Sequence, residues 1–387
     1  MRFVLPVAAL VTVPLLAACI SNTSDSGIVG GAGGPISVTS SDSSCDVSAE
    51  SAPAGNLTFN VVNGGSKVTE FYLYSADGKR IVGEVENIGP GLQGKLIVTA
   101  DEGSYQTSCR PGMAGQGIRA DFTVTKPAGG STAPSADAVL ISRAQNQYRV
   151  WVQHQADLLV AQTKRFVTAY EQGNDDLVRT LYPQARFHWE SIETVAESFG
   201  DLDPKTDARE ADLMPGQKWT GWHRIEKDLW PQRAKNYTPL SIRQRHFYGD
   251  DLLTNVTTVR DRIRSITFTT DQIANGSSGL MEEVATGKVT GEEEYWSHTD
   301  LWDFAANVKG ARVAFEDVKP ILEERDPALA KTLTHRFAEI DRLLARHESG
   351  NGYVLYTELS RAEVKRLADA VNALSEPLSH LTAAVLP

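Results

Sequence analysis

Apolar residues change their spacing along the chain, and the changes mark out its parts. Between about Pro35 and Lys126 they alternate with polar ones, as in Leu57, Phe59 and Val61 and again in Phe71 and Leu73. A period of two sets one face of a strand against a core and the other in water. Asp77-Gly78 is a hairpin signal between Glu70–Tyr74 and Arg80–Val85, and Leu96–Thr99, Tyr105–Ser108 and Asp121–Val124 read as further strands. Short strands joined by turns predict a small all-β sandwich over residues 35–126. A Gly/Ser/Pro-rich run at 127–135 reads as a linker. Beyond it the period becomes helical. Tyr148, Trp151, Val152, Leu159 and Phe166 fall near i, i+3, i+4 within Ala136–Glu171. The same spacing predicts helices over Asp175–Phe199, broken near Tyr182-Pro183, and over Lys218–Trp230, Asn236–Ala274, Leu280–Thr290 and Tyr295–Val308. Asp326-Pro327 opens a helix to about His347, and Ser360 with Glu363 is a capping box for a last one ending near Ala384. Residues 136–387 thus predict an all-α helical bundle, and the chain as a whole is multidomain.

The first eighteen residues add a destination. Arg2 precedes an apolar run from Phe3 to Ala18 that is short for a membrane span and has the shape of an export signal. It leads into Leu16-Ala17-Ala18-Cys19, which resembles a bacterial lipobox. That resemblance implies cleavage before Cys19 and lipidation of its thiol; the Ser/Gly-rich stretch that follows reads as a flexible tether, 19–34. The expected location is the cell envelope, lipid-anchored on the outer face of the cytoplasmic membrane or in the periplasm. A formal net charge of -11 argues against nucleic acid as a partner, because phosphate contacts need clustered Lys and Arg. With Cys19 set aside, Cys45 and Cys109 remain, and an oxidising compartment favours their pairing.

Candidate chemistry lies in both domains. The strand-end run Tyr105-Gln-Thr-Ser-Cys109-Arg-Pro-Gly-Met113 resembles a cupredoxin, but no histidine precedes His154. A blue-copper centre needs two imidazoles beside a thiolate, so that version is excluded. Two readings stay open: Cys45, Cys109, Glu70 and Met113 hold a copper ion, or the two cysteines form a disulfide. In the helical part, Glu190, Glu193 and Glu197 share one face at i, i+3 and i+7, either as solvated charge or around something positive. The carboxylates from Asp201 to Asp212 bracket a proline turn and read as caps and surface charge. His223 and Glu226 stand at i, i+3, so imidazole and carboxylate project together, while Trp222, Ile225 and Leu229 form the packed side of the same helix. Bundle metal sites are built from such pairs, and a hydrogen-bonded histidine gives the same spacing.

Several blocks of the helical part, taken in order, resemble the imelysin domain. They are Glu190–Glu197, Ser198–Pro204, Asp207–Glu210, Thr220–Trp230 and Thr290–Asp303, and Gly221, His223 and Glu226 match that family's Gly-x-His-x-x-Glu motif. A cupredoxin-like module followed by this domain is similar to the EfeO-type iron-uptake lipoproteins. The resemblance implies an iron ion held by His223 and Glu226 with carboxylates from other helices: Glu190 first, Asp203 second and Glu293 third. Glu292 can replace Glu293, since the acidic run leaves the register ambiguous. Asp201, Asp207 and Glu193 read as structural, and His298 and Asp300 as supports of the ligands. The resemblance further implies a carrier rather than an enzyme, with a membrane iron permease and a haem-dependent peroxidase as partners. Two alternatives stand beside it. One is a metallopeptidase, for which the helical signature His-Glu-x-x-His is missing. The other is a module that binds a different metal, an acidic polymer or a haem.

Overall fold

The computed structural model describes residues 34–126 and 137–386. The expected signal, most of the tether and the linker lie outside the described residues. Nine strands form the first part: β1 (Ile36–Ser40), β2 (Cys45–Val47), β3 (Ser51–Pro53), β4 (Gly55–Asn63), β5 (Thr69–Ser75), β6 (Ile81–Ile88), β7 (Gln93–Ala100), β8 (Gly103–Cys109) and β9 (Ile118–Thr125). They make a four-stranded sheet in the order β2-β1-β4-β7 and a five-stranded sheet in the order β3-β9-β8-β5-β6. β1 runs parallel to β4 and β3 parallel to β9, while the other pairs are antiparallel. The alternating residues supply one core: Val38, Phe59, Val61, Phe71, Leu73, Val98 and Phe122 are all buried.

A disulfide joins Cys45 of β2 in one sheet to Cys109 of β8 in the other. Of the two readings left open, this one places both sulfurs in a covalent bond, so they are not thiolates available to copper. Met113 lies on an exposed turn and Glu70 is engaged by Tyr72 and Arg110, its carboxylate accepting from the Tyr72 hydroxyl at 2.6 Å. The bond closes a loop with a sequence separation of 64, and loss of a native bridge of this kind costs about 2–5 kcal/mol. A Cys45→Ser/Cys109→Ser chain is therefore expected to unfold at clearly lower urea than wild type, and to be indifferent to reductant. Equal midpoints for the two chains would remove the bridge's structural role.

The helical part comprises α1 (Ala138–Glu171), α2 (Asp175–Glu190), α3 (Glu193–Glu197), α4 (Asp203–Thr206), α5 (Trp222–Leu229), α6 (Ile242–Ile263), α7 (Thr270–Thr286), α8 (Asp300–Arg325), α9 (Pro327–Leu344), α10 (Arg361–Leu378) and α11 (Leu381–Val385). Several expected helix bounds need correction: α7 runs through Leu280 and ends at Thr286, and α8 begins at Asp300 rather than Tyr295 and continues to Arg325. Pro183 does not break α2, which continues to Glu190 because Leu181, Tyr182, Ala185 and Trp189 are buried around it. That burial offsets an interior proline's cost of about 3 kcal/mol. Conversely, Asn236–Ala274 is not one helix. α6 stops at Ile263, and a capping box of Thr269 with Gln272 starts α7. Both Ser360 with Glu363 and Asp326 cap helices as expected. No helix among the described residues is long and apolar enough to cross a membrane.

The sandwich touches the bundle through β6 and β7. The Ile81 N–H donates to the Ser198 carbonyl at 2.8 Å, the Thr99 N–H to Asp271 at 2.8 Å, and the Asn275 amide to the Ile97 carbonyl at 3.0 Å.

Candidate metal centre

The short helix α5 carries the motif, and its first residue is set by a close approach. Gly221 has φ +88, and a Cβ there would collide with the carbonyl oxygen of Thr206 at the end of α4. Only glycine allows both the conformation and the contact, so the motif's glycine presses α5 against the Asp203–Asp207 turn. Trp222, Ile225 and Leu229 then bury one side of α5, which rotates His223 and Glu226 into the interior, where they are 1% and 0% exposed.

His223 uses its two ring nitrogens differently. Nδ1 lies 3.3 Å from Glu226 Oε2. The other Glu226 oxygen accepts from the backbone N–H groups of Trp296 and Ser297 at 2.8 and 2.6 Å. Nε2 has no hydrogen-bond partner among the described residues, and it faces Asp207 Oδ1 and Glu293 Oε1, each at 3.4 Å. A carboxylate on one nitrogen that leaves the other free is the usual way a ligating imidazole is oriented. Asp207, His223 and Glu293 form one group with ligand atoms within 4.8 Å of one another; His223, Glu226 and Glu294 form another.

Two buried cations share these acids. The Arg186 guanidinium contacts Glu190, Asp207, Glu293, Glu294 and Asp303, with Nε 2.6 Å from Glu294 Oε1. Lys288 Nζ lies 2.6 Å from Glu190 Oε2 and also contacts Glu193. Asp303 is 1% exposed, and neither of its carboxylate oxygens has a hydrogen-bond partner among the described residues. Burial, then Glu294 and Glu190, hold its carboxyl well above the usual range. Burial and Arg186 pull the His223 imidazole down, but the surrounding carboxylates of Glu226, Glu293 and Glu294 more than offset them and hold it well above its ordinary value. In chemical terms this is a mixed imidazole–carboxylate donor set with a surplus of negative charge, suited to a hard or borderline cation.

The residues expected from the sequence are distributed as follows. His223, Glu226, Glu190 and Glu293 converge. Asp203 does not join them. It lines a cavity beside the sandwich with Glu84 and Glu86, and the carboxylate of that segment that reaches His223 is Asp207. Glu193, also read as structural, lies with Glu190 and Asp207. Glu292 is exposed, whereas Glu293 and Glu294 point inward. Asp300 accepts from the Glu294 N–H at 3.0 Å, and His298 holds a left-handed turn at φ +61. Arg186, Lys288, Glu294 and Asp303 were not singled out by sequence reasoning. The i, i+4 spacing of Arg186 and Glu190 was the available signal.

The acids near the sandwich give a pH dependence. Burial pushes the Glu84 carboxyl up to about 8, with Glu70, Glu283 and Asp203 adding to it. Burial, followed by Asp207 and Glu283, pushes Asp203 up to about 7. Groups raised in the folded state favour it fully below their unfolded values, and that contribution is lost as pH rises through the folded values. The metal-free protein is thus expected to have a lower urea midpoint at pH 8 than at pH 5, bracketing the rise of Glu84 and Asp203. A midpoint that climbs over this interval contradicts the assignment.

The profile of the imelysin family (Peptidase_M75) matches residues 144–381, which contain every group of the centre. The chain belongs to the imelysin family. It is 35% identical over 349 residues to the "Iron uptake system component EfeO" of Yersinia pestis, an alignment spanning 89% of this chain and 90% of that protein. It is 33% identical over 350 residues to the protein of the same name from Escherichia coli O157:H7, with the same shares covered. The matched residues start within α1 and end at the first residue of α11, and the sandwich precedes them.

Proposed function

We propose that this chain is a carrier that captures an iron ion at the buried His223 centre as a component of an iron-uptake system. The single observation that carries the reading is the free Nε2 of His223, held between Asp207 and Glu293 while Glu226 occupies Nδ1. In this reading His223, Asp207 and Glu293 are ligands, with Glu190 at the margin of the same group. Glu226 orients the imidazole and is anchored by the two backbone N–H groups. Asp203, expected as a ligand, is left out. The relatives named as iron-uptake components over nearly the whole chain support iron as the cargo. So does the donor set, which disfavours copper(I).

The reading extends to the cell. Lipidation of Cys19 keeps the carrier at the membrane, where it hands iron to a permease and works beside a haem-dependent peroxidase. The sandwich is a cupredoxin-like module without a copper centre, braced by its disulfide. The chain is not an enzyme in this account; the centre has one imidazole, where a peptidase zinc site of the His-Glu-x-x-His kind has two. Equilibrium dialysis of the full chain against iron tests the proposal. One tightly held ion that His223→Ala loses is the expected result, and equal retention by both chains would overturn it.

A further inference from the structure

We propose that the cation reaches the buried centre through the interface of sandwich and bundle, along a ladder of carboxylates whose outer end is Glu84 and Glu86 of β6. This rests on the reading of His223 as part of a cation centre. At the centre Glu190, His223 and Glu226 are 1% exposed or less, and the Asp207 and Glu293 side chains reach 9% and 11%.

The ladder consists of overlapping groups. Asp207, His223 and Glu293 form the inner one, Glu190, Glu193 and Asp207 the next, and Glu193, Glu197 and Glu283 the outer one. Within each group every residue offers a ligand atom within 4.8 Å of the others, and successive groups share Asp207 and then Glu193. A cation can therefore pass from rung to rung without leaving all its oxygens at once.

A second observation draws attention to the middle rung. Asn307 of α8 is 0% exposed, and its amide N–H donates to the Glu190 carbonyl and to Glu193 Oε2, both at 2.8 Å. These acceptors fix the amide's orientation and leave Oδ1 without a donor among the described residues. A buried neutral oxygen in that state is a cation ligand in waiting. The Lys288 ammonium already bridges Glu190 and Glu193 at this level. An arriving ion displaces that ammonium from the shared oxygens.

The outer rung opens into a cavity of about 440 Å³ lined by Glu84, Glu86, Glu197 and Glu283. Glu84, Glu86 and Glu197 also line an adjoining cavity of about 390 Å³, together with Tyr72 and Asp203. An ion with six waters needs roughly 180 Å³ for that water at about 30 Å³ each, so a hydrated cation fits and can shed water against the carboxylates. Glu84 and Glu86 come from the sandwich and Glu197 and Glu283 from α3 and α7. The sandwich thus supplies one wall of the way in.

Stopped-flow mixing of the full chain with ferrous ion under anaerobic conditions, followed by tryptophan fluorescence, tests this. Glu84→Gln/Glu86→Gln should lower the association rate by roughly ten-fold, the low end of what a cleft lined by acids contributes, because an amide cannot release a proton to solvent and take up the passing cation as these carboxyls do. Dissociation should fall in step and leave Kd unchanged, because a change confined to the path acts equally in both directions. Neutralising Glu323 and Glu324, which are exposed on α8 and line neither cavity, should leave both rates as in wild type. An unchanged association rate in the Glu84/Glu86 variant overturns the route, and so does a weaker Kd that arises from faster dissociation. Failure of wild type to take up the ion, or undiminished uptake by His223→Ala, removes the centre itself and is a separate result.

Discussion

His223→Ala is expected to lose tight iron binding by at least about 100-fold. Disturbing only the partner of a ligating histidine costs 10–100-fold, and here the ligand itself goes. The substitution also frees Glu226, which keeps its two backbone N–H donors at 2.8 and 2.6 Å and so remains in place. The fold should survive, since Trp222, Ile225 and Leu229 hold α5 on its other side. Glu226→Gln separates orientation from ligation. It retains an oxygen for those donors but weakens the hold on Nδ1, so an intermediate loss is expected. Isothermal titration with iron checks both, and an affinity for His223→Ala within a few-fold of wild type would refute the assignment.

Arg186→Met is expected to be the most destabilising single change in the metal-free bundle. The guanidinium is 0% exposed and faces five carboxylates. Removing one partner of a buried charge network costs about 3–5 kcal/mol, because the charges left behind are uncompensated. Methionine keeps the volume and deletes the cation. Arg186→Lys restores the charge as a point rather than a fork and should recover only part of the loss. Because the same oxygens serve the proposed centre, iron should raise the urea midpoint of Arg186→Met by more than that of wild type. A loss under about 1 kcal/mol, typical of an ordinary surface substitution, would show that the guanidinium does not hold the acids.

The sequence made the architecture readable because both periods were strong. Period two placed the hairpin of β5 and β6, and the helical spacing placed α1, α2, α5 and the capped helices α9 and α10. Three short strands were missed. β1 pairs in parallel with β4 and β3 with β9, so no turn signal joins them to those partners, and β2 is only 3 residues long. The centre was half legible. His223 and Glu226 are neighbours on one helix, and local spacing finds such pairs. Asp207 was passed over for Asp203 because a proline turn gives both residues the same appearance. Which one faces inward is decided by the contact of Gly221 with Thr206, which lies in the tertiary structure. Arg186 and Lys288 look like surface charges in the sequence; only the convergence of α2, α8 and the segment between α7 and α8 buries them.

The central claim is that the free nitrogen of His223 and two carboxylates from separate segments hold the cargo ion. Anomalous scattering at the iron edge from iron-loaded crystals of the full chain tests this most directly. The account predicts one strong peak bonded to His223 Nε2, Asp207 and Glu293, with Glu226 still on Nδ1. A peak placed elsewhere, on the sandwich beside Glu70 for example, with His223 still unoccupied, would contradict it.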